Sequence, residues 1–299
     1  MRLLFLGSGA FGLPTLQRLV ESYDVRGVVS SEDKPAGRRQ KVTPTPIRAW
    51  ANEHDIEVFA TSNVNTKEMI STIDDLEVDV MVVIAFGQKL SEEVIGKRMA
   101  INLHASLLPR WRGASPINAA ILHGDLETGV SVITLAQRMD AGCVLGRQTT
   151  PIGESETAGE LHDRLSLLGA DLVLCVLEGD QEAIEQDESL VTYAPKISRT
   201  DAILDLGSDS QVVARTINSF SPWPGCHMEI AGIDCKLLRA VSKKGDGSIG
   251  EILADGSIAV GEGSVAVTEI QPAGGKPMSW KDFCNGRSIQ TGERCEVRS

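Results

Sequence analysis

The chain has 299 residues, of which 42% are hydrophobic and 23% charged, values typical of a globular protein large enough for two domains. Its net charge of −12 argues against non-specific nucleic-acid binding, and no stretch reaches the roughly 18 apolar residues of a membrane-spanning helix. Because there is no signal-peptide pattern at the N-terminus and no C-x-x-C spacing among the six cysteines, we expect a protein of the reducing cytoplasm with buried free thiols.

The first half of the sequence alternates between strand-like and helix-like patterns. A buried strand is predicted at residues 3–6, followed by a glycine turn, a helix through Leu16 and Leu19, and a second strand at residues 25–29. The alternation continues to an apolar strand at residues 79–85. Strands that alternate with helices predict a Rossmann-like, mostly parallel sheet covered on both sides.

A longer helix is predicted after residue 157. Thr157 and Glu160 have the spacing of a capping box, and leucines from Leu161 to Leu172 continue with Val176 on one helical stripe. We therefore expect a helix that begins at this box and packs its apolar stripe against the sheet.

The character of the sequence changes after residue 180. Residues 180–206 are polar and poorly periodic, which is typical of an interdomain connection. Beyond residue 222, short β-like runs separated by Gly and Asp predict a small barrel or sandwich. These runs cover residues 228–230, 235–241, 250–253, 257–260 and 264–270. We predict an α/β domain at 1–180, a linker at 181–206 and a C-terminal β domain at 207–299.

A glycine motif near the N-terminus admits two interpretations. Residues 7–12 match G-x-G-x-x-G between a predicted strand and helix, which is typical of a dinucleotide site, with Glu32 or Asp33 as the acidic partner. Pro14 follows the third glycine closely, which favours a plain tight turn instead. The first interpretation would make the protein a dinucleotide-binding oxidoreductase or sensor.

Three polar side chains form the candidate catalytic group. Asn102 and His104 lie two apart on a predicted strand and share a face, so both can donate hydrogen bonds to one developing oxyanion. Asp140 follows the predicted strand 129–135, and we expect it at the same sheet edge, where it would orient the imidazole. Individually, they could be a turn cap, a core histidine and an Asx turn. Taken together, and with the turn at 106–109, the three residues favour the interpretation as a catalytic group.

The segment 102–117 resembles the signature of the folate-dependent formyltransferases, and further motifs of this family occur along nearly the whole chain. The resemblance is closest to the branch of the family that acts on aminoacyl-tRNA. The other segments that carry it are 33–38, 80–87, 127–131, 139–142, 190–197, 220–225 and 271–278. The sequence departs from the family pattern in the turn 7–12, at Ala105 and at the pair Arg138-Met139.

The resemblance implies transfer of the formyl group of 10-formyltetrahydrofolate to the α-amine of methionine on initiator tRNA. It implies catalytic roles for Asn102, His104 and Asp140, an OB-like C-terminal barrel that binds tRNA, a monomer and no membrane attachment. No metal is expected, and the five histidines show no metal-ligand spacing. The residues expected to contact folate are Ser106, Leu107, Leu108, Pro109, Phe86, Gly87 and Leu90.

A basic segment at residues 34–48 contains no acidic residue. It corresponds to a loop that, by the resemblance, contacts the acceptor end of the tRNA, and the expected contacts are Lys34, Arg38, Arg39 and Lys41. The alternative is a solvated surface loop. A further basic face on the C-terminal domain could include Lys236, Arg239, Lys243 and Lys244. A rival within the family is a formyltransferase acting on a nucleotide sugar or on glycinamide ribonucleotide.

Overall fold

The structure is a computed structural model and describes residues 1–36, 41–179 and 182–298. Its residues form two compact units, each built from several segments of the chain. The first unit comprises Met1–Arg112, Gly129–Thr149 and Asp163–Thr192, and the second comprises Gly113–Thr128, Thr150–His162 and Tyr193–Ser299. The division at residues 180 and 207 stays a prediction. Within the described ranges, no helix has both the length and the apolar composition needed to cross a membrane.

A seven-stranded sheet lies at the centre of the first unit. The strands of the N-terminal part are β1 (Arg2–Gly7), β2 (Asp24–Ser30), β3 (Lys34–Ala36), β4 (Lys41–Thr43), β5 (Val58–Ala60), β6 (Val80–Ile84), β7 (Met99–His104), β8 (Arg112–Gly113), β9 (Glu127–Thr134) and β10 (Val144–Pro151). The order in the sheet is β10–β9–β7–β6–β1–β2–β5. The pairs from β7 to β5 run parallel, which confirms the predicted Rossmann-like sheet. Strand β9 runs antiparallel to β7.

Helices follow several of these strands, and side-chain caps at Thr45, Thr66 and Ser91 begin three of them. They are α1 (Leu13–Ser22), α2 (Pro46–Glu53), α3 (Lys67–Asp75), α4 (Glu92–Ile95), α5 (Pro116–Leu122) and α6 (Ala158–Glu178). The predicted capping box is confirmed, because the backbone N–H of Thr157 donates to Glu160 Oε2 at 3.0 Å and the N–H of Glu160 donates to Thr157 Oγ1 at 3.3 Å. The predicted apolar stripe of α6 is confirmed as well, since Leu161 and Leu165 are fully buried.

The central strands β1 and β6 form the core of the sheet. All five residues of β6 are buried, as are residues 3–6 of β1, because both faces of these strands are covered. Burying a Leu, Val or Ile side chain stabilises the fold by roughly 1.5–3 kcal/mol, which places these strands among the main sources of stability.

An antiparallel, barrel-like sheet dominates the second unit. Its elements are β11 (Tyr193–Ala194), α7 (Ser210–Ser219), β12 (Cys226–Ile230), β13 (Ile233–Lys243), β14 (Ile258–Ala259), β15 (Ser264–Pro272), β16 (Met278–Ser279), α8 (Trp280–Arg287) and β17 (Cys295–Val297). The strand order is β14–β15–β13–β12–β17, with β16 paired to β15. An apolar cluster that includes Ile217 of α7 and Phe283 of α8 forms the core of this unit.

One predicted strand of this unit is wrong. Residues 250–253 form only isolated bridges, from Glu251 to Arg294 and from Ile252 to Ile258. Gly250 has a φ of +83°, a left-handed conformation that interrupts an extended run at its first residue. The bridges nevertheless help to close the sheet into its barrel-like form.

Candidate active site

Two of the predicted catalytic residues lie at the end of β7, between β6 and β9. Asn102 pairs in register with Val83 of β6 and Ile133 of β9, and His104 lies opposite Ser131 of β9. Being two residues apart, the two side chains share one face of the strand. Asn102 is half-buried, and among the described residues its side-chain amide has no hydrogen-bond partner. This amide can donate to a ligand.

The imidazole of His104 lies between a carboxylate and a carbonyl. Its Nδ1 is 3.6 Å from Asp140 Oδ2, and the exposed fractions of the two side chains are 8% and 14%. Its Nε2 is 2.8 Å from the carbonyl oxygen of Trp111. A carbonyl only accepts hydrogen bonds, so Nε2 carries a proton and Nδ1 is the nitrogen at which the ring gains or loses one. That nitrogen faces the carboxylate.

Asp140 lies close to the His104 imidazole, but the strand that precedes it runs in a different direction from the one predicted. We expected β7 and β9 to end at the same sheet edge, but β9 runs antiparallel, and its Thr134 pairs with Ile101 rather than with His104. The predicted shared edge is therefore wrong. The loop between β9 and β10 folds back to bring Asp140 to His104.

The folded-back loop depends on two unusual backbone positions. Asp140 has a φ of +52°, in the left-handed region that few non-glycine residues adopt. A Cβ atom on Gly142 would lie 1.7 Å from the carbonyl oxygen of Thr134, so no larger residue fits there. The motif Asp140-Ala141-Gly142 is thus the sequence signature of this turn.

The loop after β7 is held by buried hydroxyl groups. Ser106 is fully buried, and its Oγ donates to the carbonyl of Arg110 at 2.6 Å. Ser131 Oγ donates to the Ser106 carbonyl at 2.7 Å and accepts from the N–H of Leu108 at 3.1 Å. These bonds rigidify the segment predicted to contact folate, in which Leu107 and Pro109 are half-buried.

The remaining predicted folate contacts divide by exposure. The side chains of Leu108, Phe86 and Leu90 are buried, with exposed fractions of 1%, 3% and 8%. Gly87 is exposed and has a φ of +77°. Phe86 and Leu90 belong to one apolar cluster and Leu108 to another, so the groups left for a ligand are the exposed Gly87 and the partly exposed Leu107 and Pro109.

Of the four predicted tRNA-binding residues, the structure describes the backbones of two. Arg38 and Arg39 lie outside the described residues. The backbones of Lys34 and Lys41 belong to β3 and β4, which pair antiparallel. The base of this basic segment is fixed by an ion pair of 3.0 Å between Arg48 and Asp33.

The glycine turn at residues 7–12 is packed closely against the sheet. A Cβ on Gly12 would lie 2.9 Å from the Phe5 ring and 3.3 Å from Ile84. Asp33, one of the two acidic residues considered for a ribose, is the ion-pair partner of Arg48. The ion pair favours the tight-turn interpretation, whereas close packing at the third glycine is expected for both interpretations.

The sequence reasoning missed a segment that contributes to the site. Residues 182–192 were expected to be linker, yet Gln186 and Glu188 contact the loops that carry Asp140 and Arg112, and Thr192 Oγ1 accepts from the N–H of Trp111 at 2.9 Å. A motif signal was available, because residues 190–197 resemble the formyltransferase family. Among the residues that the structure describes, no group of three or more His, Cys, Asp or Glu side chains could hold a metal.

Comparison with known protein families gives one match in the N-terminal part of the chain and one in the C-terminal part. Residues 1–177 match the formyl transferase family, and residues 196–288 match the formyl transferase C-terminal domain. The chain belongs to the formyl transferase family. This confirms the family resemblance found in the sequence.

Relatives of this formyl transferase extend over nearly its full length. The methionyl-tRNA formyltransferase of Methylococcus capsulatus is 39% identical over 301 residues, covering 97% of this chain and 98% of the relative. That of Geobacter sulfurreducens is 38% identical over 305 residues, covering 98% and 96%.

Solved structures share the fold of this formyl transferase at low identity. HypX from Aquifex aeolicus, in complex with tetrahydrofolic acid, has a TM-score of 0.62 at 19% identity, covering 98% of this chain and 48% of that one. The sugar 3N-formyl transferase WlaRD has a TM-score of 0.65 at 17% identity, covering 91% and 97%. At such identities the similarity concerns the fold.

Proposed function

We propose that this chain transfers the formyl group of 10-formyltetrahydrofolate to the α-amine of methionine carried by initiator tRNA, for translation initiation. The observation that carries the proposal is the pairing of His104 Nδ1 with Asp140 Oδ2, beside the unpartnered amide of Asn102. Membership of the formyl transferase family supports the reaction type. The near full-length relatives named methionyl-tRNA formyltransferase support the acceptor.

The transfer requires a negative charge on the formyl oxygen to be stabilised. The neutral amine of methionine attacks the formyl carbon, the carbon–N10 bond breaks, the amine loses a proton and N10 of the folate gains one. In the proposal, the Asn102 amide donates a hydrogen bond to the oxygen as it becomes negative. Removing one such donor typically raises the barrier by about 3 kcal/mol.

His104 and Asp140 handle the proton in this proposal. We expected both Asn102 and His104 to donate to the oxygen, but the Nε2–H of His104 is directed to the Trp111 carbonyl. Only Nδ1 can act on the substrate, either by donating to the oxygen or by accepting the amine proton and passing it to N10. The carboxylate of Asp140 orients the ring for this step.

The proposal includes the residues that bind the two substrates. The folate would lie against the wall formed by Ser106, Leu107, Leu108, Pro109, Phe86, Gly87 and Leu90. The tRNA would contact Lys34, Arg38, Arg39 and Lys41, together with the C-terminal domain. We further propose that the protein acts in the cytoplasm as a monomer.

A formylation assay tests the function directly. The protein is incubated with 10-formyltetrahydrofolate and initiator methionyl-tRNA, and formyl-methionine is measured after hydrolysis. Asp140→Asn should lower the rate by about 10²–10⁴-fold, because the partner of the acid–base group is lost. Asp246→Asn, which alters an exposed aspartate outside the site, is the matched control and should leave the rate unchanged.

Two results would overturn the proposal. One is the absence of formyl-methionine while an amine of a nucleotide-linked sugar is formylated, which would favour the rival within the family. The other is tight binding of NADH without binding of a folate analogue. That result would favour a dinucleotide-binding protein with its site at the turn 7–12.

A further inference from the structure

Gln186 is a buried polar residue in an otherwise exposed run. Residues 182–185 and 187–190 are all exposed, whereas Gln186 has an exposed fraction of 9%. The chain therefore turns one amide side chain inward from a surface segment. Burying a polar group is unfavourable unless it is hydrogen-bonded, so its partners explain why it is there.

The amide of Gln186 bridges two loops of the site. Its Nε2 donates to the backbone carbonyls of Asp140 at 2.7 Å and Gly142 at 2.8 Å. Its Oε1 accepts from Nε and Nη2 of Arg112, at 3.0 and 2.8 Å. Because carbonyls only accept and a guanidinium only donates, this network allows one orientation of the amide.

Arg112 is in turn fixed from the other side. Its side chain is 1% exposed, and its Nη2 donates to Glu188 Oε1 at 2.9 Å. Glu188 also pairs with Arg138 at 3.0 Å, on the loop that carries Asp140. Hydrogen bonds from Arg112 and Arg138 lower the pKa of Glu188 below its ordinary value, so the carboxylate stays charged in this network.

These contacts hold both partners of the His104–Asp140 pair. Arg112 directly follows Trp111, whose carbonyl accepts from His104 Nε2. Gln186 holds the turn in which Asp140 has its left-handed backbone conformation. We propose that Gln186, oriented by Arg112, is a positioning residue that sets the distance between the Asp140 carboxylate and the His104 imidazole. This inference rests on the proposed function of that pair.

The substitution Gln186→Glu separates positioning from packing. Glutamate has nearly the same shape and keeps acceptors for Arg112, but it directs a carboxylate oxygen at two carbonyls that only accept. The turn should therefore move away from His104. Gln148→Glu makes the same chemical change at an exposed position of β10. Gln148 lies outside these contacts, so this variant is the matched control.

The first readout is the division of the effect between kcat and KM. Gln186→Glu and Gln186→Ala should lower kcat about 10- to 100-fold, because small displacements of reacting groups are costly. KM for either substrate should change by less than about twofold, since neither substrate contacts Gln186 in the proposal. Wild-type kcat in the folded Gln186→Glu protein would overturn the inference, as would a change confined to KM.

Arg112 provides a second, independent variant. Arg112→Lys keeps the charge but loses the two parallel hydrogen bonds to Gln186. Because both residues act through the same turn, Arg112→Lys combined with Gln186→Ala should lower kcat no further than the more severe single variant. Full additivity of the two effects would contradict the inference. If Arg112→Lys does not fold, Gln186→Glu decides.

A measurement on the resting protein distinguishes failure of this inference from failure of the proposed function. In protein labelled with ¹⁵N-histidine, the shifts of the two ring nitrogens report their protonation and hydrogen bonds, and His104→Ala identifies the signals. Gln186→Glu should shift the Nδ1 signal of His104, and Gln148→Glu should not. An unchanged signal overturns the positioning role, whether or not the wild-type protein formylates methionyl-tRNA.

Discussion

The side-chain amide of Asn102 is half-buried and has no hydrogen-bond partner among the described residues. Solvent reaches this amide, because it is not among the fully buried polar atoms without a partner in the described residues, and it is therefore accessible to a ligand. Asn102 lies two residues from the buried His104, on the same face of β7. This argues for a role in binding the formyl group rather than in capping a turn.

Replacement of this amide tests its role as an oxyanion donor. Asn102→Ala should lower kcat by about 10²–10³-fold, with a much smaller effect on KM, because the hydrogen bond strengthens as the oxygen becomes negative. Steady-state formylation kinetics measure both constants. Asn52→Ala, on the exposed surface of α2, is the control. A rise in KM with an unchanged kcat would assign Asn102 to ground-state binding instead.

The cysteines behave as the sequence predicted where they are buried. Burial raises the pKa of the Cys226 and Cys295 thiols to about 12, so both stay protonated and unreactive. Cys175 is exposed and Cys143 and Cys284 are half-buried, which differs from the expectation of buried thiols. Cys175 lies on α6, a helix whose hydrophobic residues continue beyond the buried stripe.

At the scale of elements, the basic face expected on the C-terminal domain is largely neutralised. Arg239 pairs with Glu160 at 2.5 Å, and Lys243 pairs with Asp255 at 2.7 Å. Lys236 donates to the carbonyl of Pro222. Attraction for a polyanion from these side chains is thereby reduced, which places more of the expected tRNA binding on the basic segment 34–48.

The basic segment should contribute through charge. Arg38→Ala is expected to raise KM for methionyl-tRNA several-fold and to flatten its dependence on salt, because fewer phosphate contacts release fewer counterions. KM for the folate should not change. Formylation rates over a series of salt concentrations measure this, with Arg147→Ala on exposed β10 as the control. An unchanged salt dependence would favour the solvated-loop interpretation.

At the scale of the whole molecule, each compact unit is assembled from distant segments. In the second unit, Arg239 of β13 binds Glu160 at the start of α6, and the N–H of Gly159 donates to the Ser221 carbonyl at 3.0 Å. The Arg239 hydrogen bonds are the main reason why the pKa of Glu160 falls from 4.5 to about 2. This ion pair links residues 79 positions apart in the sequence.

The lowered pKa of Glu160 predicts a pH-dependent stability. A carboxyl with a lower pKa in the folded state stabilises the fold above its unfolded pKa, and this contribution is lost as the pH falls from about 4.5 towards 2. In Glu160→Gln, which can still cap the helix, the melting temperature should fall less steeply over that range than in the wild type. Thermal unfolding followed by circular dichroism measures it.

The control for this experiment is another glutamate of the same region. Glu154→Gln changes an exposed carboxyl, and its melting temperature should follow the wild-type pH dependence. Parallel curves for Glu160→Gln and the wild type would mean that the ion pair contributes no net stability. That outcome is common for partly exposed pairs.

Local patterns in the sequence were sufficient for the parallel part of the sheet, the capping box of α6, the position of Asn102 and His104 on one strand face, and the family. The first three features depend on periodicity and on residues close in sequence, whereas the family was indicated by the resemblance of motifs along the chain. The strand predicted at 250–253 failed because a left-handed glycine interrupts it, a conformation that an isolated Gly does not reveal.

The direction of β9, the approach of Asp140 to His104 and the inward turn of Gln186 were decided only in the tertiary structure. Each depends on contacts between segments that no periodicity connects: an antiparallel pairing, a loop that folds back at Gly142, and an amide shared between residues 112 and 140. Alternation of strands and helices does not distinguish a parallel from an antiparallel neighbour, because strand direction is fixed by how the chain returns to the sheet. The sequence by itself therefore determined which chemical groups are present, and the fold determined which of them meet.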